Sequence, residues 1–293
     1  CEPVKVVPLR AAKLVAGDEA RDSAVVVQVL IYGAGQREIG FAADALLDPL
    51  RERDGAGHFT RDRLEFSAPI ENAKKFGLNI VYDKTYPPAT TDFTPIVRAI
   101  QATNPEIVYV GSYPPDSTGM VKAANEVGLK TKLFGGGMVG LQFAAIQKNL
   151  GPMLNGVVNY DFWVPEPTLN FPGVKEFLAK YQAAAKDKGV DPLGHYLPPY
   201  AYAYLQVLGQ SVEAVKSLDQ AKLAAHMHKT TFDTVVGKVK FGKNGEWERS
   251  RVLFVQFRDV QPDNLEQFAG PGKRVVLHPK EWKSGNIVYP YKK

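Results

Sequence analysis

The feature that most constrains this chain is the regular alternation that begins near Phe66. Short apolar strands and amphipathic helices take turns for about a hundred residues. Ser67 can cap a helix through Lys75, closed by Gly77, and Leu78–Tyr82 reads as a strand. Thr91 or Asp92 caps a helix through Gln101, with Pro95 harmless in its first turn. Ile107–Gly111 is a strand, Asp116–Val127 a helix stopped by Gly128, and Lys132–Gly135 a strand. A helix over 141–150 and a strand over 157–160 complete the series. Strand–helix–strand repetition at this spacing predicts right-handed crossovers and a parallel sheet with helices on both faces. In such a sheet ligands lie beyond the carboxyl ends of the strands. Two loops fall there: Ser112-Tyr113-Pro114-Pro115-Asp116-Ser117 and Gly136-Gly137-Met138-Val139.

The rhythm changes after Tyr160. Tyr160-Asp161-Phe162-Trp163-Val164-Pro165-Glu166-Pro167 is aromatic and proline-stiffened, and reads as a connector between lobes, with Tyr160, Asp161, Phe162 and Trp163 as hinge residues. Helices are expected over 171–188, over 199–216 and from the Asp219 cap to Lys229. Strands are expected over 235–241 and 251–257, with Gly242–Glu246 as the turn between them. Ahead of the alternation the chain is harder to read. Val25–Tyr32 is a β-branched strand ended by Gly33-Ala34-Gly35, and Ile39–Arg53 is a helix interrupted by Pro49. The expected organisation is an atypical segment over 1–65, an α/β lobe over 66–160, a mostly helical return over 161–234, and final strands over 235–293 crossing back.

Composition narrows the function. Hydrophobic residues make up 45% and charged residues 23% of 293 residues, which is ordinary globular usage. No stretch approaches the ~20 apolar residues that span a bilayer, so no direct membrane insertion is expected. The 36 basic residues exceed the 31 acidic ones by a small margin and are scattered. They form no stripe suited to a phosphate backbone, so no nucleic-acid partner is expected. One cysteine, Cys1, excludes an internal disulfide and a cysteine-rich zinc site. The chain opens without an initiator Met, and a mature cut or an internal fragment is favoured over a lipid-anchored Cys1.

No catalytic constellation stands out. The histidines are His58, His195, His226, His228 and His278. His226 and His228 are two apart and do not share a helix face as a metal pair would, so surface histidine is the reading. No nucleophile elbow, phosphate-binding loop or cofactor motif is present. Asp161 and Glu166 could be called paired carboxylates, but they lie in the connector and no acid–base role is expected of them. The Ser112–Ser117 loop is more informative, because it follows a strand and opens a helix. Such a helix start offers N–H groups and a partial positive charge that suit a carboxylate, with an ordinary Pro-rich turn as the alternative. The Gly135-Gly136-Gly137 run reads as a tight strand–helix turn rather than a phosphate cradle. Tyr196, Tyr200, Tyr202 and Tyr204 are partly at helical spacing, and either pack between lobes or line a cleft.

Several segments together resemble the solute-binding proteins of branched-chain amino acid ABC transporters. They are Tyr82–Pro88 with Thr91–Val97, Ser112–Ser117, Gly135–Gln142, Asn159–Trp163, Asp191–Pro199, Thr234–Gly237 and Phe241–Trp247. The resemblance covers about residues 66–293. It implies the type I periplasmic binding protein fold, with two α/β lobes and a small-molecule ligand in the cleft. It further implies a monomeric, extracytoplasmic protein that passes its ligand to membrane permease subunits and performs no chemistry. The candidate ligand-binding residues are Ser112, Tyr113, Pro114, Asp116, Gly136, Gly137, Met138, Tyr196 and Tyr200, of which Tyr113, by the resemblance, matches a cleft tyrosine of the second lobe. A ligand-sensing module on the same fold, within a larger signalling protein, is the alternative. Gly137 falls where amino acid binders carry a glutamate for the ligand's ammonium group. A buried ammonium without a carboxylate is costly, so an aromatic or aliphatic carboxylate or an amide competes with an amino acid. The first-lobe pattern is absent from residues 1–65, which leads to the expectation that the first lobe is truncated.

Overall fold

The structure, a computed structural model, describes residues 25–31 (backbone only), 73, 78–87, 90–249 and 251–291. In chain order its strands are β1 (Val25–Ile31), β2 (Tyr82–Tyr86), β3 (Ile107–Ser112), β4 (Leu133–Met138), β5 (Val158–Asp161), β6 (Thr231–Thr234), β7 (Gly237–Lys240), β8 (Leu253–Phe257) and β9 (Arg274–His278). Seven of them form a central sheet in the order β2-β1-β3-β4-β5-β8-β9. Strands β2 to β5 run parallel with β1, as the alternation predicts. Strands β8 and β9 are antiparallel additions, so the sheet is mixed. Strand β1 lies between β2 and β3, so this piece of the N-terminal 65 residues is part of the same sheet as the later strands.

Both faces of the sheet are covered. Val108, Val110, Phe134 and Phe257 pack with Val97 and Ile100 of α1 (Thr94–Gln101) and Met120, Val121 and Ala124 of α2 (Pro114–Val127). Ile107, Leu133, Val158, Phe254 and Leu277 form the opposite face with Ala73 and Leu78. Helix α3 (Ala144–Leu150) follows β4. A third core joins α4 (Val174–Ala185), α5 (Pro198–Val215) and the β6–β7 hairpin to Leu253, Val255 and Val276. Helix α6 (Gln220–Lys229) follows α5.

Most expected elements are present, with shifts that have physical causes. The strand expected over 78–82 lies at Tyr82–Tyr86 instead. It is an edge strand, and its exposed Asp83 and Lys84 need no apolar run. Strand β4 continues through Gly135, Gly136, Gly137 and Met138, so these residues are not a loop beyond its end. Strands β7 and β8 belong to different sheets, and Gly242–Glu246 closes its own bridge from Phe241 to Trp247. Strand β9 is an addition to the expected set, although Val275-Val276-Leu277 is a buried apolar run. The helices expected over 39–53 and 67–75 lie outside the described residues, apart from Ala73, which is helical.

The triple glycine is explained by close approach. Gly135 has φ +140°, and a Cβ there would sit 1.7 Å from the Val158 carbonyl oxygen. A side chain is therefore excluded by backbone of the adjacent strand. Gly135→Ala is expected to cost more than about 4 kcal/mol, the range reserved for such clashes. Urea unfolding checks this, and a variant within about 1 kcal/mol of the parent contradicts it.

Candidate functional site

The carboxyl ends of β3, β4 and β5 converge on a cluster of aromatic rings. Tyr160 and Tyr196 are buried and share a hydrogen bond of 2.7 Å between hydroxyls. Phe162 stacks on Tyr196 at 5.4 Å with planes 8° apart. Phe143 meets the Tyr196 ring edge at 5.7 Å. Tyr200 lies 5.3 Å from the Phe162 ring and donates its hydroxyl to the Phe162 carbonyl at 2.9 Å. Phe143, Phe162, Tyr200 and Tyr113 are half-buried, so they form the accessible rim of a buried floor. Tyr113 is close enough to raise the pKa of both Tyr160 and Tyr196. Burial is the larger cause for each, and the floor is uncharged at ordinary pH.

The loop between β4 and α3 is fixed by buried polar contacts. The Ser117 hydroxyl donates to the Val139 carbonyl at 2.7 Å and accepts from the Ser112 hydroxyl at 2.7 Å. Gln142 accepts from the Gly140 amide and donates to the Tyr160 carbonyl. Asn159 both accepts from the Met138 amide and donates to its carbonyl, at 2.9 Å each. The Asp191 carboxylate accepts from the Ala144 amide at 2.7 Å and so fills the start of α3.

Next to the floor lies a buried charge network. Asp161 and Arg274 form an ion pair at 3.1 Å with each side chain 1% exposed. Arg274 also donates to Nδ1 of His195 at 2.7 Å, which fixes that nitrogen as the acceptor. Asp161 accepts in addition from the Phe162 amide. Burial pushes the Asp161 carboxyl up to about 6, against the pull of Arg274. Burial, then the Arg274 charge, pushes His195 down to about 2. His195 is thus a core residue, not a surface one, because its ring is committed to Arg274 and packs 5.0 Å from Trp163.

The structure brings Tyr113, Tyr196, Tyr200, Tyr160 and Phe162 together, and separates others. The Met138 side chain lies in the core between sheet and helices. The Ser112 hydroxyl is spent on Ser117. Asp116 is in the first turn of α2 beside Tyr86, where burial raises its pKa and Tyr86 opposes the rise. Pro114 and Pro115 supply no N–H, and the Ser117 amide bonds to the Tyr113 carbonyl. The start of α2 therefore lacks the array of donors expected for a carboxylate. Gly136 is buried and Gly137 half-buried, both inside β4. Asp161 ends β5, and Trp163 already belongs to the helical core. Sequence reasoning missed Phe143 and Arg274. The latter is the one charge opening an otherwise apolar strand, and that was its signal.

The pattern of the periplasmic binding proteins matches residues 67–259. The chain belongs to this family. A Leu/Ile/Val-binding protein homolog 8 from Brucella abortus is 31% identical over 214 residues, 66% of this chain and 50% of its own length. The chain thus spans about half the length of that curated relative. Among solved structures, a leucine-, isoleucine-, valine-, threonine- and alanine-binding protein from Brucella ovis superposes with TM-score 0.63 at 18% identity, over 99% of this chain and 65% of that one. A solute-binding protein of an ABC transporter from Rhodopseudomonas palustris, in complex with p-hydroxybenzoic acid, gives 0.60 at 20% identity, over 92% and 62%. The fold is that of the type I periplasmic binding proteins. Among the described residues no helix is long and apolar enough to cross a membrane, and no cluster of His, Cys, Asp and Glu could hold a metal.

The His195 environment sets a pH dependence. The unfolded chain protonates His195 below about pH 6.5 and the folded one does not, so stability falls as pH drops, by about 2 kcal/mol at pH 5. Asp161, with its raised pKa, works in the opposite sense between about pH 4 and 6. His195→Asn keeps an acceptor for Arg274 and removes the titration. Thermal melts from pH 7.5 to 5 are expected to fall more steeply for the parent than for this variant. Parallel slopes contradict the assignment.

Proposed function

We propose that this chain is the solute-binding component of an ABC importer, extracytoplasmic and monomeric, which hands a small ligand to the permease subunits. The single observation that carries this reading is the uncharged aromatic surface at the carboxyl ends of β3–β5, in a chain of the periplasmic binding protein family. Tyr113, Phe143, Phe162 and Tyr200 offer ring faces to an apolar body. Chain movement on closure falls at Phe162–Trp163, where the backbone leaves β5 for the helical core.

The ligand class follows from charge. An α-amino acid brings an ammonium group that needs a carboxylate. Position 137 is glycine, and two of the bordering carboxylates are engaged: Asp161 by Arg274, and Asp191 by the Ala144, Leu193 and Gly194 amides. An aromatic carboxylate fits this surface better than leucine. The Rhodopseudomonas neighbour crystallised with p-hydroxybenzoic acid supports the same class, and the Brucella relatives named for leucine, isoleucine and valine support the other.

A thermal-melt screen separates the two. A ligand at ~100 times its Kd adds ~2.7 kcal/mol of stability. Benzoate and 4-hydroxybenzoate are expected to raise the melting temperature, with leucine, valine and short amides giving smaller shifts or none. A larger shift with leucine or valine contradicts the ligand class. Tyr113→Ala is expected to weaken binding about ten-fold, roughly 1.4 kcal/mol, with little change in the ligand-free melt. A variant that melts far lower and binds normally places Tyr113 in the core instead.

A further inference from the structure

Tyr109 lies midway along β3, opposite Gly135 in β4. Its ring runs across the next two glycines. A Cβ on Gly136 would sit 2.7 Å from the ring carbons Cδ2 and Cε2, and one on Gly137 would sit 3.1 Å from Oη. Gly111, the residue paired with Gly137, lies one position before the end of β3. The two glycines thus admit the ring, and the ring delivers a hydroxyl to the carboxyl edge of the sheet at position 137. The neighbouring hydroxyls are committed elsewhere: Ser112 and Ser117 to each other, Tyr160 to Tyr196, and Tyr200 to Phe162. Tyr109 is half-buried, and no hydrogen bond to its Oη is found among the described residues.

We infer that Tyr109, through Oη at Gly137, is a specificity-determining residue that donates a hydrogen bond to a ligand carboxylate or carbonyl oxygen. This rests on the reading of the chain as a binding protein for carboxylates. Burial raises the phenol's pKa, so it is a neutral donor throughout the working range of pH. A neutral phenol satisfies an anionic oxygen with a charge-assisted hydrogen bond, whereas it gives an ammonium no counter-charge. Preference for an acceptor over an ammonium is then set by one side chain crossing two glycines.

Two variants test the role, with benzoate as the probe and calorimetric titration as the readout. Tyr109→Phe removes only the hydroxyl and is expected to weaken benzoate binding about ten-fold or more. Gly137→Ala leaves the hydroxyl but crowds it, and is expected to weaken binding several-fold. The ligand-free melting temperature of Tyr109→Phe is expected to stay near the parent's, which a purely structural tyrosine would not permit. Parent protein that binds benzoate while both variants bind it equally well overturns the role of Tyr109 and leaves the proposed function standing. If Tyr109→Phe fails to fold, Gly137→Ala decides by the same criterion. Parent protein that binds leucine but not benzoate overturns the ligand class, and the role of Tyr109 with it.

Discussion

The buried ion pair between Asp161 and Arg274 is the constraint on which the arrangement depends. Asp161 ends β5 and Arg274 begins β9, so the pair fixes two strands that are not neighbours in the sheet. Through His195 it also fixes the segment that leads into α5. Removing one partner of such a pair leaves an unpaired buried charge, a loss of about 3–5 kcal/mol. Its position matters as much as its energy. Tyr160 and Phe162 flank Asp161, and Tyr196 comes directly after His195. The charge network therefore sets where three rings of the aromatic cluster stand.

The remaining rings are placed by neutral polar contacts. Ser117 and Gln142 hold the loop that carries Val139 and Phe143, and Asp191 ties its far end to the segment before α5. The consequence is a division of labour. Asp161 and Arg274 are paired below the surface, Asp191 is held by backbone amides, and the rim above is made of rings and hydroxyls. The proposed ligand class, an apolar body with oxygen at one end, rests on that surface.

Much of the frame is legible in the sequence. The parallel strands β3, β4 and β5 are buried on both faces, and continuous apolar runs such as Ile107–Val110 reveal that directly. Strand β2 is harder to place, because an edge strand hides in a polar sequence. The glycine run reads as a turn because three glycines seldom continue a strand. The approach of the Val158 carbonyl explains Gly135, and the Tyr109 ring explains Gly136 and Gly137. Tyr113 is readable as a site candidate from its place after a strand and at a helix start, and Tyr196 and Tyr200 from their partly helical spacing. His195 is not, and Arg274 shows only as a lone charge opening an apolar strand, since its partner Asp161 lies 113 residues away in the chain. The family resemblance carries the functional reading further than spacing alone.

The most direct measurement is hydrogen exchange on the intact chain, with and without saturating 4-hydroxybenzoate. The account predicts slower exchange at the carboxyl ends of β3 and β5, in the loop at 139–143, and at 160–163 and 196–200. No change anywhere, or protection confined to the β6–β7 hairpin, α6 or residues 280–291, would contradict it.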